Sequence, residues 1–335
     1  SASRGIGHYT YYHIWHLAQR LPDWEFVMLV EDGQPSEQLQ RLLRLPNLRL
    51  MSVDNYRTED FDLVHIPDPM TVVSMDSPMR LFAGQRATVI FYDLIPLRVY
   101  WHSWDPARQH SYLQRLQQLR EQPFMILAIS EHTRQDLMRE GVPGERIKTV
   151  LAGLNQSDQA RAIPDTPASL SAVERAARLR QLVITQPFFL HVGAVDPHKN
   201  FDAVLNCFVR CRQERPSQLV VAGRQTPELR RYADYCSQKG VSGVVFTGFL
   251  PRPDLELLYQ EAVALLFLSR YEGFGLPVLE AMANGCPVIT TRATSLPEVA
   301  GEAALMFDPD DLAGITQAML RLLDQPDERH MLREK

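Results

Sequence analysis

Cysteine is scarce. Cys207, Cys211, Cys236 and Cys286 are the only four in 335 residues, and no two form a C-x-x-C pair. That leaves too few clustered sulfur ligands for a structural zinc site, and free thiols in a reducing compartment are expected instead. No uninterrupted apolar run approaches the ~18 residues a spanning helix needs, and the mean hydropathy is -0.21. No basic start is followed by an apolar stretch, so these residues carry no sign of a secretory signal. Neither sign of charge is in large excess: 35 Lys and Arg face 40 Asp and Glu, a net charge of -5. With a pI near 6.1, nucleic acid is excluded as the default partner, because domains that bind it are usually strongly basic. Apolar residues make up 45% of the chain. That is enough to bury two cores, and the length allows roughly two domains. A cytoplasmic two-domain protein is the expectation.

Short apolar or β-branched runs alternate with helical patterns from end to end. Strands are expected at Phe26–Val30, Leu48–Met51, Leu63–Ile66, Thr88–Tyr92, Met125–Ile129 and Ile147–Val150. A second set follows at Phe188–Val192, Leu219–Ala222, Val244–Thr247, Ala264–Phe267, Val288–Thr291 and Leu305–Phe307. Helical spacing lies between them, as in Arg108–Glu121 with Leu113, Leu116 and Leu119, and in Phe201–Glu214. Such alternation predicts α/β architecture with parallel sheets covered on both faces. The aperiodic, Pro- and Asp-containing stretch Gly153–Ser169 reads as a linker, dividing the chain into domains over 1–165 and 166–335. Ser1–Gly7 reads as a loop entering a helix. A doubly wound domain normally opens with a strand, so residues preceding Ser1 are expected.

The most informative segment runs from Ser269 to Thr290. An apolar strand enters a turn containing Gly273 and Gly275, and a helix with Pro277 in its first turn begins near Leu276. A helix N-terminus with open N–H groups favours an anion such as a diphosphate. Glu272 and Glu280, eight positions apart, would repel phosphate. They make better acceptors for sugar hydroxyls.

This segment resembles the E-x7-E region of retaining glycosyltransferases of family 4, which adopt the GT-B architecture: two Rossmann-like doubly wound domains facing across a cleft. Arg4–Thr10, Tyr92–Leu97, Ile129–Leu137, Val192–Asn200, Gly248–Leu250 and Leu296–Gly301 resemble the same family in the same order. The resemblance implies sugar transfer from a nucleotide-sugar donor (GDP- or UDP-linked, mannose being one candidate) to a hydroxyl acceptor in polysaccharide, glycolipid or glycoconjugate biosynthesis. Carried over by position, Glu280 would bind the ribose, while Glu272, Gly273, Phe274, Gly275 and Leu276 would hold the donor sugar and phosphates. Lys199 would neutralise the diphosphate. Beside it, His198 stands where the family often has arginine, which weakens the local positive charge. Arg224 is a second candidate phosphate contact, Phe249 and Leu250 would line the base pocket, and Gly5 and Gly7 would form a turn near the donor phosphates. Asp93 would orient an acceptor or sugar hydroxyl. Tyr92 replaces the family's histidine on the acceptor side, and packing at a strand end accounts for it equally well.

Other clusters are read as structural. His8, His13 and His16 fit an aromatic amphipathic helix better than a metal site. Asp60-Phe-Asp62 and Asp308-Pro-Asp310 fit turns, the latter capping the next helix. No metal cofactor is expected. Arg108, Arg115 and Arg120 are compatible with peripheral contact at the inner face of a membrane or with an ordinary solvated face. A non-hydrolysing nucleotide-sugar epimerase and a non-catalytic nucleotide-sugar-binding relative are the competing readings.

Overall fold

The computed structural model describes residues 5–30, 37–57, 60–70, 82, 84–154 and 170–335. Residues 155–169 of the expected linker lie outside them. The strands are β1 (Phe26–Val30), β2 (Leu48–Ser52), β3 (Val64–Ile66), β4 (Ala87–Phe91), β5 (Met125–Ala128) and β6 (Ile147–Thr149), followed by β7 (Phe188–Val192), β8 (Gln218–Ala222), β9 (Val244–Gly248), β10 (Ala264–Phe267), β11 (Val288–Thr291) and β12 (Ala304–Phe307). The helices are α1 (Gly5–Arg20), α2 (Glu37–Leu42), α3 (Pro106–Glu121), α4 (Glu131–Arg139), α5 (Ala172–Gln181) and α6 (Phe201–Glu214), then α7 (Pro227–Gln238), α8 (Arg252–Glu261), α9 (Leu276–Ala283), α10 (Leu296–Ala300), α11 (Leu312–Asp324) and α12 (Pro326–Glu334). Two compact units result: Ser1–Tyr92, Ser103–Ile129 and Thr133–Asn155 form one, and the remainder forms the other.

In the second unit six parallel strands run in the order β12-β11-β10-β7-β8-β9. This is the doubly wound order, which reverses direction between β7 and β10. Continuous apolar runs build it. All of β8, β10 and β11 is buried, as strands covered on both faces must be. Alternate side chains divide between two cores. Phe189, Leu219, Val221 and Leu266 pack with α6 and α11, whereas Phe188, Leu190, Val220 and Phe267 pack with α8, α9 and α10. Helix starts are capped as the sequence allows. Ser171 and Glu174 form a reciprocal capping box on α5, and Thr226 caps α7 ahead of Pro227. α11 is capped by Asp311, not by the preceding Asp-x-Asp pair. Asp310 instead pairs with Arg270, and Asp308 accepts the Asp310 N–H at 2.9 Å.

In the first unit β3-β4-β5-β6 form one parallel sheet and β1-β2 another. On α3 the buried side chains are Tyr112, Arg115, Leu116 and Leu119; of the expected stripe Leu116 and Leu119 are buried, whereas Leu113 is exposed and Tyr112 takes its place. The arginines of α3 do not form a basic face. Arg115 is buried and donates to Met70 O, Arg108 lies over the Trp104 ring, and Arg120 pairs with Glu140 at 3.3 Å. Gly5 and Gly7, expected in a turn, belong to α1. Downstream, α1 is fixed by its aromatic side: Tyr9 meets Tyr92 edge-on at 5.8 Å, and His13 stacks on His65 at 5.0 Å. Among the described residues no helix is long and apolar enough to cross a membrane. The four cysteines are buried and unbridged.

Candidate active site

The loops that follow β7 and β10 leave the sheet at its switch point, where open parallel sheets bind ligands. After β7, residues Pro197–Lys199 make one tight turn, with Asn200 in the left-handed region at φ 53°. After β10 comes Ser269–Gly275, and the two loops are tied by the Arg270 N–H donating to His198 O at 2.8 Å.

Their side chains meet on one carboxylate oxygen. Lys199 Nζ and Ser269 Oγ each donate to Glu272 Oε1 at 2.6 Å. The pair is enclosed: the Lys199 and Glu272 side chains retain only 15% and 8% of their exposure. The ammonium also lies 4.9 Å from the centroid of the Phe267 ring. One oxygen of the buried carboxylate, Oε1, therefore takes both side-chain bonds.

α9 begins at Leu276, with Gly275 as its N-cap at φ 108° and Pro277 in its first turn. That conformation is open to glycine and strained for other residues. Glu280, one turn further on, accepts from Tyr259 Oη at 3.0 Å. Burial raises its carboxyl above the usual carboxylate range, and the tyrosine bond partly offsets this. Tyr259 is itself buried on α8.

The histidines here are neutral. Burial and then the neighbouring Lys199 charge push His198 down to about 4, and its Nδ1 lies 3.1 Å from Tyr100 Oη. His191, fully buried in β7, is likewise held to about 4 by burial. His198 therefore adds no positive charge beside Lys199, as its place in the sequence suggested. Arg224 is exposed in the loop after β8. Phe249, just past β9, is 76% exposed, and Leu250 packs on the α8–α10 core.

Asp93, just past β4, groups with the second unit, and its Oδ1 accepts the Ile95 N–H at 2.9 Å. Tyr92 belongs to the first unit. Its hydroxyl lies 3.1 Å from Thr10 Oγ1, and burial raises its pKa, so it stays protonated. Among the described residues no group of three His, Cys, Asp or Glu side chains is arranged to hold a metal ion.

Of the residues singled out from the sequence, the structure brings Lys199 and Glu272 together and places the Gly-rich turn and Glu280 at the start of α9. Ser269, Tyr259, Thr294 and Ser295, which bond to Glu272, Phe274 or Glu280, were not singled out from the sequence. Only the placement of Ser269 three residues before Glu272 hinted at a contact.

A parallel doubly wound sheet with Lys199 and Glu272 joined at its switch point and Glu280 on the helix that follows has the architecture of a Rossmann-like domain. Comparison with known proteins agrees. Residues 176–335 match the family model Glycosyl transferases group 1, and this part of the chain is a domain of that family. The chain is 32% identical over 73% of its length to O-antigen chain mannosyltransferase B of Escherichia coli, of which it covers 62%. It is 30% identical over 71% of its length to the serotype-specific mannosyltransferase WbdA of Escherichia coli, of which it covers 29%. The chain thus spans less than two thirds of either relative. The crystal structure of WaaG, a glycosyltransferase involved in lipopolysaccharide biosynthesis, superposes with a TM-score of 0.68, covering 98% of this chain and 90% of that one at 14% identity. That likeness is one of fold.

Proposed function

We propose that this protein transfers a sugar from a nucleotide-sugar to a hydroxyl of a carbohydrate acceptor in polysaccharide biosynthesis, with the anomeric configuration retained. One observation carries the reading: the enclosed Lys199–Glu272 pair at the β7/β10 switch point, beside the N-terminus of α9. A departing diphosphate needs positive charge that is already in place. Lys199 and the α9 N–H groups supply it without a metal. The Glu272 carboxylate suits a sugar hydroxyl, and Glu280 suits the ribose. The names of the two mannosyltransferase relatives favour mannose as the sugar. In the transfer, a phosphate oxygen of the donor takes the acceptor's proton as the glycosidic bond to phosphate breaks. Peripheral membrane contact, if the acceptor is lipid-linked, gains no support from α3, whose arginines are engaged within the protein.

Calorimetry with GDP-mannose and UDP-glucose, in excess chelator, tests the reading. One of the two should bind, and Glu280→Gln should weaken it about ten-fold or more, because a charge-assisted bond to a hydroxyl is worth roughly 1.5–3 kcal/mol. The amide can still accept from Tyr259, so the fold should persist. Binding that requires added manganese, or that Glu280→Gln leaves unchanged, would remove this assignment.

A further inference from the structure

Three consecutive residues after β11 grip the loop that carries Glu272. Thr294 Oγ1 accepts the Glu272 N–H at 2.9 Å. Ser295 Oγ lies 3.0 Å from Glu272 O and 2.9 Å from Phe274 O, its single hydroxyl proton shared between the two carbonyls. Leu296 closes on Gly275 so tightly that a Cβ there would sit 2.7 Å from Leu296 Cδ2. Ser295 and Leu296 are fully buried.

Thr294 makes its contact at a cost. Its φ is 52°, in the left-handed region that a β-branched side chain adopts only when its surroundings force it to. Glycine would relieve that strain, so backbone geometry alone does not account for a threonine here. The hydroxyl does, because it holds the N–H of the residue whose carboxylate meets Lys199.

We infer that Thr294 and Ser295 are positioning residues for donor binding. They fix residues 272–275 in the conformation that seats the Glu272 carboxylate between Lys199 and Ser269 and leaves the N-terminus of α9 open. The donor part of this inference rests on the function proposed above; the clamp itself does not.

The test compares the wild-type chain with Thr294→Gly, Thr294→Ser and Ser295→Ala. Hydrogen exchange of the peptide covering 272–276, measured without ligand, reads the clamp. Exchange should quicken in Thr294→Gly and Ser295→Ala, and Thr294→Ser should resemble the wild type. Thr294→Gly should melt no lower than the wild type, since the lost bond is offset by relief of strain. Its KM for GDP-mannose or UDP-glucose should nevertheless rise roughly ten-fold, the scale of one hydrogen bond, and Thr294→Ser should restore it. A purely structural threonine would not separate stability from donor KM in this way. Unchanged exchange in Thr294→Gly, a donor KM that does not move, or failure of Thr294→Ser to rescue would each overturn the inference. If the wild type uses neither donor, the functional reading falls, and the exchange measurement alone decides the clamp.

Discussion

Lys199→Ala is expected to cut sugar transfer by roughly 10²–10³-fold, the usual loss when one preorganised electrostatic donor is removed from developing charge. It should also destabilise the second unit. Glu272 is buried and shares its Oε1 with Lys199 and Ser269. Removing the lysine would leave that carboxylate with only the serine, and breaking one side of a buried pair costs about 3–5 kcal/mol. The two losses are separable. In Lys199→Met combined with Glu272→Gln no charge is stranded, so most of the melting temperature should return while transfer stays low. Calorimetric melting and a transfer assay on the same preparations check this. Retention of transfer within a few-fold in Lys199→Ala would show that the leaving group is stabilised elsewhere.

The second large effect is acid destabilisation. His65, His191 and His198 are each pushed down to about 4, in every case chiefly by burial. Above the ordinary histidine range all three are neutral, folded or unfolded, and contribute no pH dependence. As pH falls from about 6.5 towards 4, the unfolded chain takes up protons that the fold excludes, so stability is lost across that window. The loss should be on the order of 2 kcal/mol per histidine by pH 5, against a typical domain stability of ~5–15 kcal/mol. Glu280 works in the opposite sense, because its raised carboxyl protonates earlier in the fold than in the unfolded chain. One carboxyl does not cancel three histidines. In the first unit His65→Gln should flatten the response, since glutamine can still bond Thr88, which lies 2.7 Å from His65 Nδ1. Thermal melts at about pH 7.5 and about pH 5 decide the matter, and equal midpoints would contradict the burial argument.

What was legible in the sequence is what local chemistry determines. The limits of β7, β10, β11 and α6 agree with the expected ones because apolar runs and helical periodicity there are unbroken, with Pro187 and Gly193 flanking β7, Pro287 preceding β11 and Asn200 preceding α6. The start of α9 was readable from Gly275 and Pro277 for the same reason. Gly5 and Gly7 misled, because conformational freedom permits a turn without requiring one, and the aromatic contacts of α1 decide its fold. The cap of α11 was displaced by one residue: Asp308, Asp310 and Asp311 can all cap, and the Arg270–Asp310 pair, 40 positions apart, settles the choice. The contact between Lys199 and Glu272 spans 73 positions. It depends on strand order, which residue spacing does not reveal. Thr294 and Ser295 were invisible for a plainer reason. Small hydroxyl residues in loops are common, and their importance comes from which main-chain groups they reach.

The central claim is that a retaining sugar transfer is built around Lys199, Glu272 and Glu280. The most direct test incubates the protein with its preferred nucleotide-sugar and a saccharide acceptor, and reads the anomeric proton of the product by NMR. With an α-linked donor such as GDP-mannose, the product should be the α-glycoside, and its formation should fall away in Lys199→Ala. A β-glycoside, or α-product formed equally well without Lys199, would contradict the account.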